Sequence, residues 1–446
     1  MLNEYLETCA VVGAGGKMGR GIALLLLQEM ARTEAEKTGK ISGRGRLYLV
    51  DMNDDILTGL QSYLKNQMLR YSEKNIVALR SCYQDRPDLL ENHEIVAEFI
   101  GTALSMVRLV TDIKEIGQAK LIFEAIVEKP DVKARVFSQI KEICGDDSYI
   151  LTNTSSIPIS VLDEMARLEG RLIGYHFYNP PAVQKLLEII TSPKTDKKLH
   201  DLATELSKRL QKIQVPAHDV AGFIGNGHFM RDGLFGMELA RELEKELAPH
   251  EAIYLANKVS EEFMIRPMGI FQLMDYVGLD VCRMIMKTMD TYIESETIHS
   301  DLIDRMYDAG VKGGQFADGS QKDGFLKYQK GRPVGVFSLK KNNYVMFDDA
   351  GWTKTCNLKL GVPPAGHLPW KALNQDQNKD QKLKAYFDAL FQADTLGARL
   401  AQRYLIKSKE IARKLVTDGV AHNVEDVNAV LMNGFYHLYG PDNEYY

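Results

Sequence analysis

Tyr175-His176-Phe177-Tyr178-Asn179-Pro180 contains a histidine, the side chain best suited to move a proton near neutral pH, and Glu188 follows it by twelve residues. A carboxylate that reaches the second ring nitrogen would fix the imidazole tautomer and stabilise the charged ring. Upstream, Asn153-Thr154-Ser155-Ser156 offers hydroxyl and amide donors, and Gly222-Phe223-Ile224-Gly225-Asn226 offers a further amide. Taken singly, each has an ordinary reading. A histidine at a strand end is commonly a hydrogen-bonded core residue, Glu188 could be a surface acid, and Asn153 and Ser155 could shape a turn. As an ordered set they suit removal of a hydroxyl proton while donors hold the oxygen as charge builds on it.

Gly13-Ala14-Gly15-Gly16-Lys17-Met18-Gly19 lies between an apolar strand pattern, Thr8 to Gly13, and an apolar helix pattern, Met18 to Met30. Glycines at a strand-to-helix turn let a pyrophosphate approach the helix N-terminus. Gly13, Gly15 and Gly19 give GxGxxxG, one residue longer than the usual spacing. Asp51 ends a second strand pattern, Arg46 to Asp51, where an acid can accept from both adenosine ribose hydroxyls. It would repel a 2′-phosphate, and no arginine follows in Met52-Asn53-Asp54, so NAD is favoured over NADP. The alternative is an acid capping the helix that starts near Asn53. A hydride acceptor beside a candidate base points to oxidation of an alcohol.

Bulk properties narrow the class. At 446 residues, 45% hydrophobic and 26% charged, the chain suits two or three globular domains. A net charge of −5 argues against nucleic acid as a partner. Five scattered cysteines, Cys9, Cys82, Cys144, Cys282 and Cys356, form no CxxC pair, so neither a metal site nor a disulfide framework is expected. Met1-Leu2-Asn3-Glu4 lacks the basic region of a signal peptide, and the longest apolar run, Ile22 to Leu27, falls short of a membrane span. A cytoplasmic protein with no membrane partner is the expectation.

The elements that must position these residues alternate β and α. Leu121 to Val127, Tyr149 to Thr152 and Arg171 to Phe177 read as strands, and Asn53 to Arg70 and Asp131 to Cys144 as helices. Such alternation builds a doubly wound, Rossmann-like parallel sheet, an α/β fold. Thr33 to Arg46 reads as a surface insertion, which accounts for the long separation of the glycine loop from Asp51. Beyond Val215-Pro216 the chain reads as mostly helical, with a glycine-rich loop region at Lys312 to Ser338. Three regions follow: residues 1–217, a helical domain at 218–335 and a helical region at 336–446. Glu238 to Leu243 resembles Glu410 to Leu415, and without a gap His250 then aligns with His422. That suggests a repeat, although amphipathic helices also resemble one another by chance.

The ordered motifs resemble the L-3-hydroxyacyl-CoA dehydrogenase family. The resemblance rests on Phe123 to Glu128, Asn153 to Ser156, His176 to Pro180, Lys185 to Glu188, Gly222 to Asn226 and Arg266 to Asp280, and it covers roughly residues 8 to 330. It implies His176 as general base, Glu188 as its partner, and Ser155 and Asn226 against the substrate oxygen. It also implies NAD contacts from Glu128, Lys133, Ser155 and Asn179, and coenzyme A binding near Lys74. The candidate cofactor set is thus Gly13, Gly15, Gly16, Lys17, Met18, Gly19, Asp51, Glu128, Lys133, Asn153, Ser155 and Asn179. The substrate set is Ser155, Asn226 and Lys74. The chain departs from the family in its longer glycine loop, in a longer Asn75 to Val96 segment, and in Lys322 to Leu326, an approximate counterpart of a glycine-rich closing segment. Glu410 to Pro441 resembles a second helical domain, which implies either a monomer with an internal pseudo-dimer or a homodimer. The expected reaction is reversible, NAD-dependent oxidation of an L-3-hydroxyacyl-CoA. The rivals are a dehydrogenase of the same scaffold acting on a hydroxy acid without CoA, and a silent NAD-binding protein.

Overall fold

Short apolar runs separated by amphipathic helices fold the N-terminal half around a sheet. The structure, a computed structural model, describes residues 1–38, 45–316 and 319–446. Two compact units appear, Met1–Asp219 and Val220–Tyr446, and residues 336–446 fall within the second.

The first unit carries eight strands: β1 (Thr8–Val12), β2 (Arg46–Val50), β3 (Val107–Val110), β4 (Leu121–Glu124), β5 (Tyr149–Thr152), β6 (Leu172–Phe177), β7 (Leu186–Thr191) and β8 (Ile213–His218). Their order is β3-β2-β1-β4-β5-β6-β7-β8. The first six run parallel, β7 runs antiparallel to β6, and β8 is parallel to β7. Strands β4, β5 and β6 are buried along their whole length, as expected of a sheet covered on both faces. The order reverses on either side of β1, and in such sheets a ligand binds at the strands' carboxyl ends beside that reversal.

Several elements differ from the sequence expectation. The helix after the glycine loop runs Lys17–Thr38, through the first part of the expected insertion. Thr33 to Lys37 is rich in helix formers, and Arg32 pairs with both Glu29 and Glu36 on that helix. Residues 39–44 of the insertion lie outside the described residues. Strands β3, β7 and β8 were not anticipated. Strand β3 is short and half-buried, whereas β8 alternates exposed and buried residues and includes Pro216, a residue that demotes a strand reading. The long segment after Asn75 forms two helices, Ile76–Cys82 and Asn92–Met106.

The second unit is helical except for one small antiparallel sheet: β9 (Leu326–Gln329), β10 (Arg332–Ser338) and β11 (Asn343–Met346). This corrects the loop expected over Lys312 to Ser338. The glycine there marks a hairpin: Lys330 and Gly331 both have positive φ, as a two-residue hairpin turn requires. Buried Asp275 anchors this sheet, accepting from the backbone N–H of Phe325 (2.6 Å) and Leu326 (2.8 Å) and from the Tyr328 hydroxyl (2.9 Å). The related sequences Glu238–Leu243 and Glu410–Leu415 end two long helices, Phe223–Leu243 and Leu396–Thr417, that pack against each other. Among the described residues, no helix is long and apolar enough to cross a membrane.

Candidate active site

The histidine and its carboxylate are brought together by strand register. Strands β6 and β7 pair antiparallel with His176 directly opposite Glu188. Cross-strand partners place their side chains within contact distance, so the twelve-residue spacing is the length of a hairpin. Nδ1 of His176 lies 3.0 Å from Oε1 of Glu188. Glu188 is fully buried, and His176 is 8% exposed. A buried carboxylate accepting from Nδ1–H leaves the basic lone pair of the neutral ring on Nε2. The Tyr178 hydroxyl donates to the same Oε1 at 2.7 Å, and its ring sits 4.9 Å from the imidazole. The sequence reading gave Tyr178 no role, because its place in the motif does not reveal what its hydroxyl touches.

A second buried carboxylate organises the neighbouring strand ends. Glu124 ends β4 and accepts from the Thr152 hydroxyl (2.6 Å), the Ile126 N–H (2.7 Å) and the Lys133 ammonium (2.7 Å). Lys133 also reaches Oε2 of Glu128 at 3.2 Å. Oε1 of Glu128 in turn takes the hydroxyl of Thr154 (2.6 Å), the N–H of Ser155 (2.8 Å) and the N–H of Ser156 (3.2 Å). Burial works against the Glu128 anion, yet Lys133 and these donors hold its carboxyl below the usual carboxylate range. Burial likewise opposes the Lys133 ammonium, but Glu124 and Glu128 raise its pKa. Lys133 is 1% exposed, so it stands behind Glu128, enclosed between two carboxylates. The sequence reading gave Glu124 no role; the signal that could have found it is a charge in an otherwise apolar buried strand, which needs a partner.

Asn153 and Asn179 follow the same strand ends. Oδ1 of Asn153 accepts from the Phe177 N–H at 2.9 Å and ties the end of β5 to the end of β6. Oδ1 of Asn179 is buried with no hydrogen-bond partner, as expected of an acceptor reserved for a ligand.

The glycine loop closes despite its extra residue. Gly13 has a φ of +84°, Gly16 N–H bonds back to the Gly13 carbonyl, and the helix starts at Lys17. A Cβ on Gly19 would lie 2.0 Å from the Gly13 oxygen, so only glycine permits this turn. Oδ2 of Asp51 accepts from the Gly15 N–H at 3.0 Å. Asn53, not Asp51, caps the following helix by accepting from Ile56 N–H at 3.1 Å. Lys17 lies exposed in the first turn of the loop's helix, Met18 lies partly exposed beside it, and Lys74 lies exposed at the end of the helix Asp54–Lys74. The tight loop at a helix N-terminus, the acid after β2 and the unpartnered Asn179 acceptor fit a dinucleotide.

Asn226 belongs to the second unit. It sits in the first turn of the helix Phe223–Leu243 and is the only residue between Ala221 and Gly233 that is not buried. An amide half open to its surroundings in an otherwise buried first half of the helix is placed to meet a ligand.

Residues 8–220 match the model of the 3-hydroxyacyl-CoA dehydrogenase NAD-binding domain, and residues 222–328 match the model of the same family's C-terminal domain. The human mitochondrial hydroxyacyl-coenzyme A dehydrogenase is 31% identical over 276 residues, 62% of this chain and 77% of that protein. A probable 3-hydroxybutyryl-CoA dehydrogenase of Deinococcus radiodurans is 30% identical over 222 residues, covering 50% of this chain and 78% of that protein. The crystal structure of a 3-hydroxybutyryl-CoA dehydrogenase from Escherichia coli shares the fold over 98% of this chain and 90% of that one, with a TM-score of 0.63 at 21% identity. The fold likeness thus extends past residue 328. The chain belongs to the 3-hydroxyacyl-CoA dehydrogenase family, and its first unit is that family's NAD-binding domain.

Proposed function

We propose that the chain oxidises an L-3-hydroxyacyl-CoA to the 3-ketoacyl-CoA, reversibly and with NAD, with His176 as the general base. The observation that carries this reading is the His176–Glu188 pair, held in register between β6 and β7. NAD, when bound, supplies the acceptor for the hydride leaving C3 of the substrate. Nε2 of His176 takes the hydroxyl proton, and Glu188 stabilises the imidazolium that results. Ser155 and Asn226 donate to the substrate oxygen. Asp51 would accept from the adenosine ribose, and the buried Oδ1 of Asn179 would accept from a donor of NAD. Glu128, with Lys133 behind it, fixes the Asn153–Ser156 turn. Lys74 offers a cation to coenzyme A from the end of its helix.

A place in fatty-acid metabolism fits this substrate class, as the name of a related peroxisomal fatty acid beta-oxidation multifunctional protein suggests. A cytoplasmic location is proposed on the five free cysteines, which suit a reducing compartment; recovery of the protein in an organelle fraction would contradict it. The substrate test compares acetoacetyl-CoA with acetoacetate in NADH oxidation. The CoA ester is expected to be the better substrate by at least about 100-fold in kcat/KM, since binding of the remote CoA group favours the transition state. Equal rates would favour a hydroxy acid without CoA.

A further inference from the structure

Residues 178–185, the connection between β6 and β7, join the two members of the catalytic pair and carry Asn179. Within the loop, Val183 and Gln184 donate their N–H groups to the Pro180 carbonyl at 3.0 and 2.9 Å. Neighbouring elements hold it as well. Pro181 packs on the cofactor-loop helix, where a Cβ on Gly21 would come within 2.8 Å of its ring. From the other side, Nζ of Lys212 donates to the Pro181 carbonyl at 2.6 Å and to the Gln184 carbonyl at 2.7 Å. The same ammonium lies 5.8 Å from the centre of the Phe177 ring, the residue after His176. Lys212 precedes β8, whose first residue, Ile213, bonds to the Lys185 carbonyl at the far end of the loop.

This cation forms no ion pair with a carboxylate among the described residues. Burial alone depresses its pKa, to about 8. The two carbonyl bonds offset part of the cost of burying this ammonium without a counter-ion.

Resting on the function proposed above, we propose that Lys212 is a positioning residue: its ammonium clamps the Pro181 and Gln184 carbonyls and so sets the 178–185 loop, with the His176–Glu188 pair and Asn179, in working geometry. It touches neither substrate nor the reacting atoms. Its effect passes through the loop to the base and to the cofactor acceptor together.

The test uses the full chain with Lys212→Met and Lys212→Arg, measuring NADH binding by fluorescence, kcat and KM with acetoacetyl-CoA, and thermal stability. Methionine keeps the stem and removes both donors, whereas arginine restores donors to carbonyls. Lys212→Met is expected to lose about tenfold in kcat and to weaken NADH binding by about threefold or more, with a melting temperature no lower than the wild type. Lys212→Arg is expected to return both quantities to within about threefold. A Lys212→Met variant within twofold of wild type in both would overturn the proposal. So would a lowered melting temperature with losses that arginine does not recover, which marks a merely structural lysine. If wild type turned over no acyl-CoA, the proposed function would fail, while the NADH titrations would still decide the role of Lys212.

Discussion

At the residue scale, three carboxylates divide the labour of the first unit. Glu188 receives both the His176 ring and the Tyr178 hydroxyl on one oxygen, so the base is oriented by a group that is itself pinned. Glu124 and Glu128 share the Lys133 ammonium, and their remaining lone pairs hold the strand ends where a cofactor would lie. Lys212 gives a signed prediction. Burial lowers its pKa from 10.5 to about 8 in the folded chain, so between those values the unfolded chain binds more protons than the native one. Stability contributed at this site is therefore lowest below about pH 8 and recovers as pH rises toward 10.5. Lys212→Arg stays charged throughout, so the melting temperature of wild type should gain on that variant between pH 8 and 9.5. A constant gap across that range would contradict the assigned burial of the ammonium.

At the element scale, the glycine loop and the β6–β7 hairpin differ in how openly the sequence displayed them. The loop was legible because Gly13, Gly15 and Gly19 sit between a strand and a helix pattern, and the turn there admits nothing larger. Gly19→Ala should weaken NADH binding by at least about tenfold in a fluorescence titration, because its Cβ would displace the Gly13 carbonyl. Near-normal affinity would mean that the turn relaxes at little cost. The hairpin was only half legible. His176 and Glu188 stood out as chemistry, yet β7 was not read as a strand, so their spacing had no explanation until the register appeared. Lys212 and Tyr178 went unread for the same reason: their roles depend on contacts across strands, which local pattern does not encode. The small sheet β9–β11 was hidden by glycine, which marks a hairpin turn and a loop alike.

At the scale of the whole molecule, the second unit contains its own argument about assembly. The helix Phe223–Leu243 packs on Leu396–Thr417 and on Val424–Gly434, while Leu396–Thr417 packs in return on Val259–Phe263, the segment that continues the helix Pro249–Lys258. Each long helix thus meets the other and the segment that follows the other, the reciprocal pattern of a two-fold interface. Buried polar contacts join the two halves: Arg266, paired with Asp232 of its own half at 2.6 Å, reaches Ser408 at 3.2 Å, and the Tyr404 hydroxyl donates to the Asp232 carbonyl at 2.7 Å. We propose that the helical region 336–446 stands in for a partner subunit, which predicts a monomer of 50.3 kDa in solution. Light scattering checks it, and a dimer built through the 221–331 surface would contradict it. The fold class was legible in sequence because it depends on local spacing; the pairing of the two helical halves was hinted at by the likeness of Glu238–Leu243 to Glu410–Leu415 and by the resemblance of Glu410 to Pro441 to a second helical domain.

The most direct test of the central claim is turnover and NADH binding by the full chain with His176→Ala. With acetoacetyl-CoA and NADH, kcat is expected to fall by about a thousandfold, the loss typical when a general acid–base group is removed, while NADH affinity stays within about threefold of wild type. Turnover within about tenfold of wild type would contradict His176 as the base.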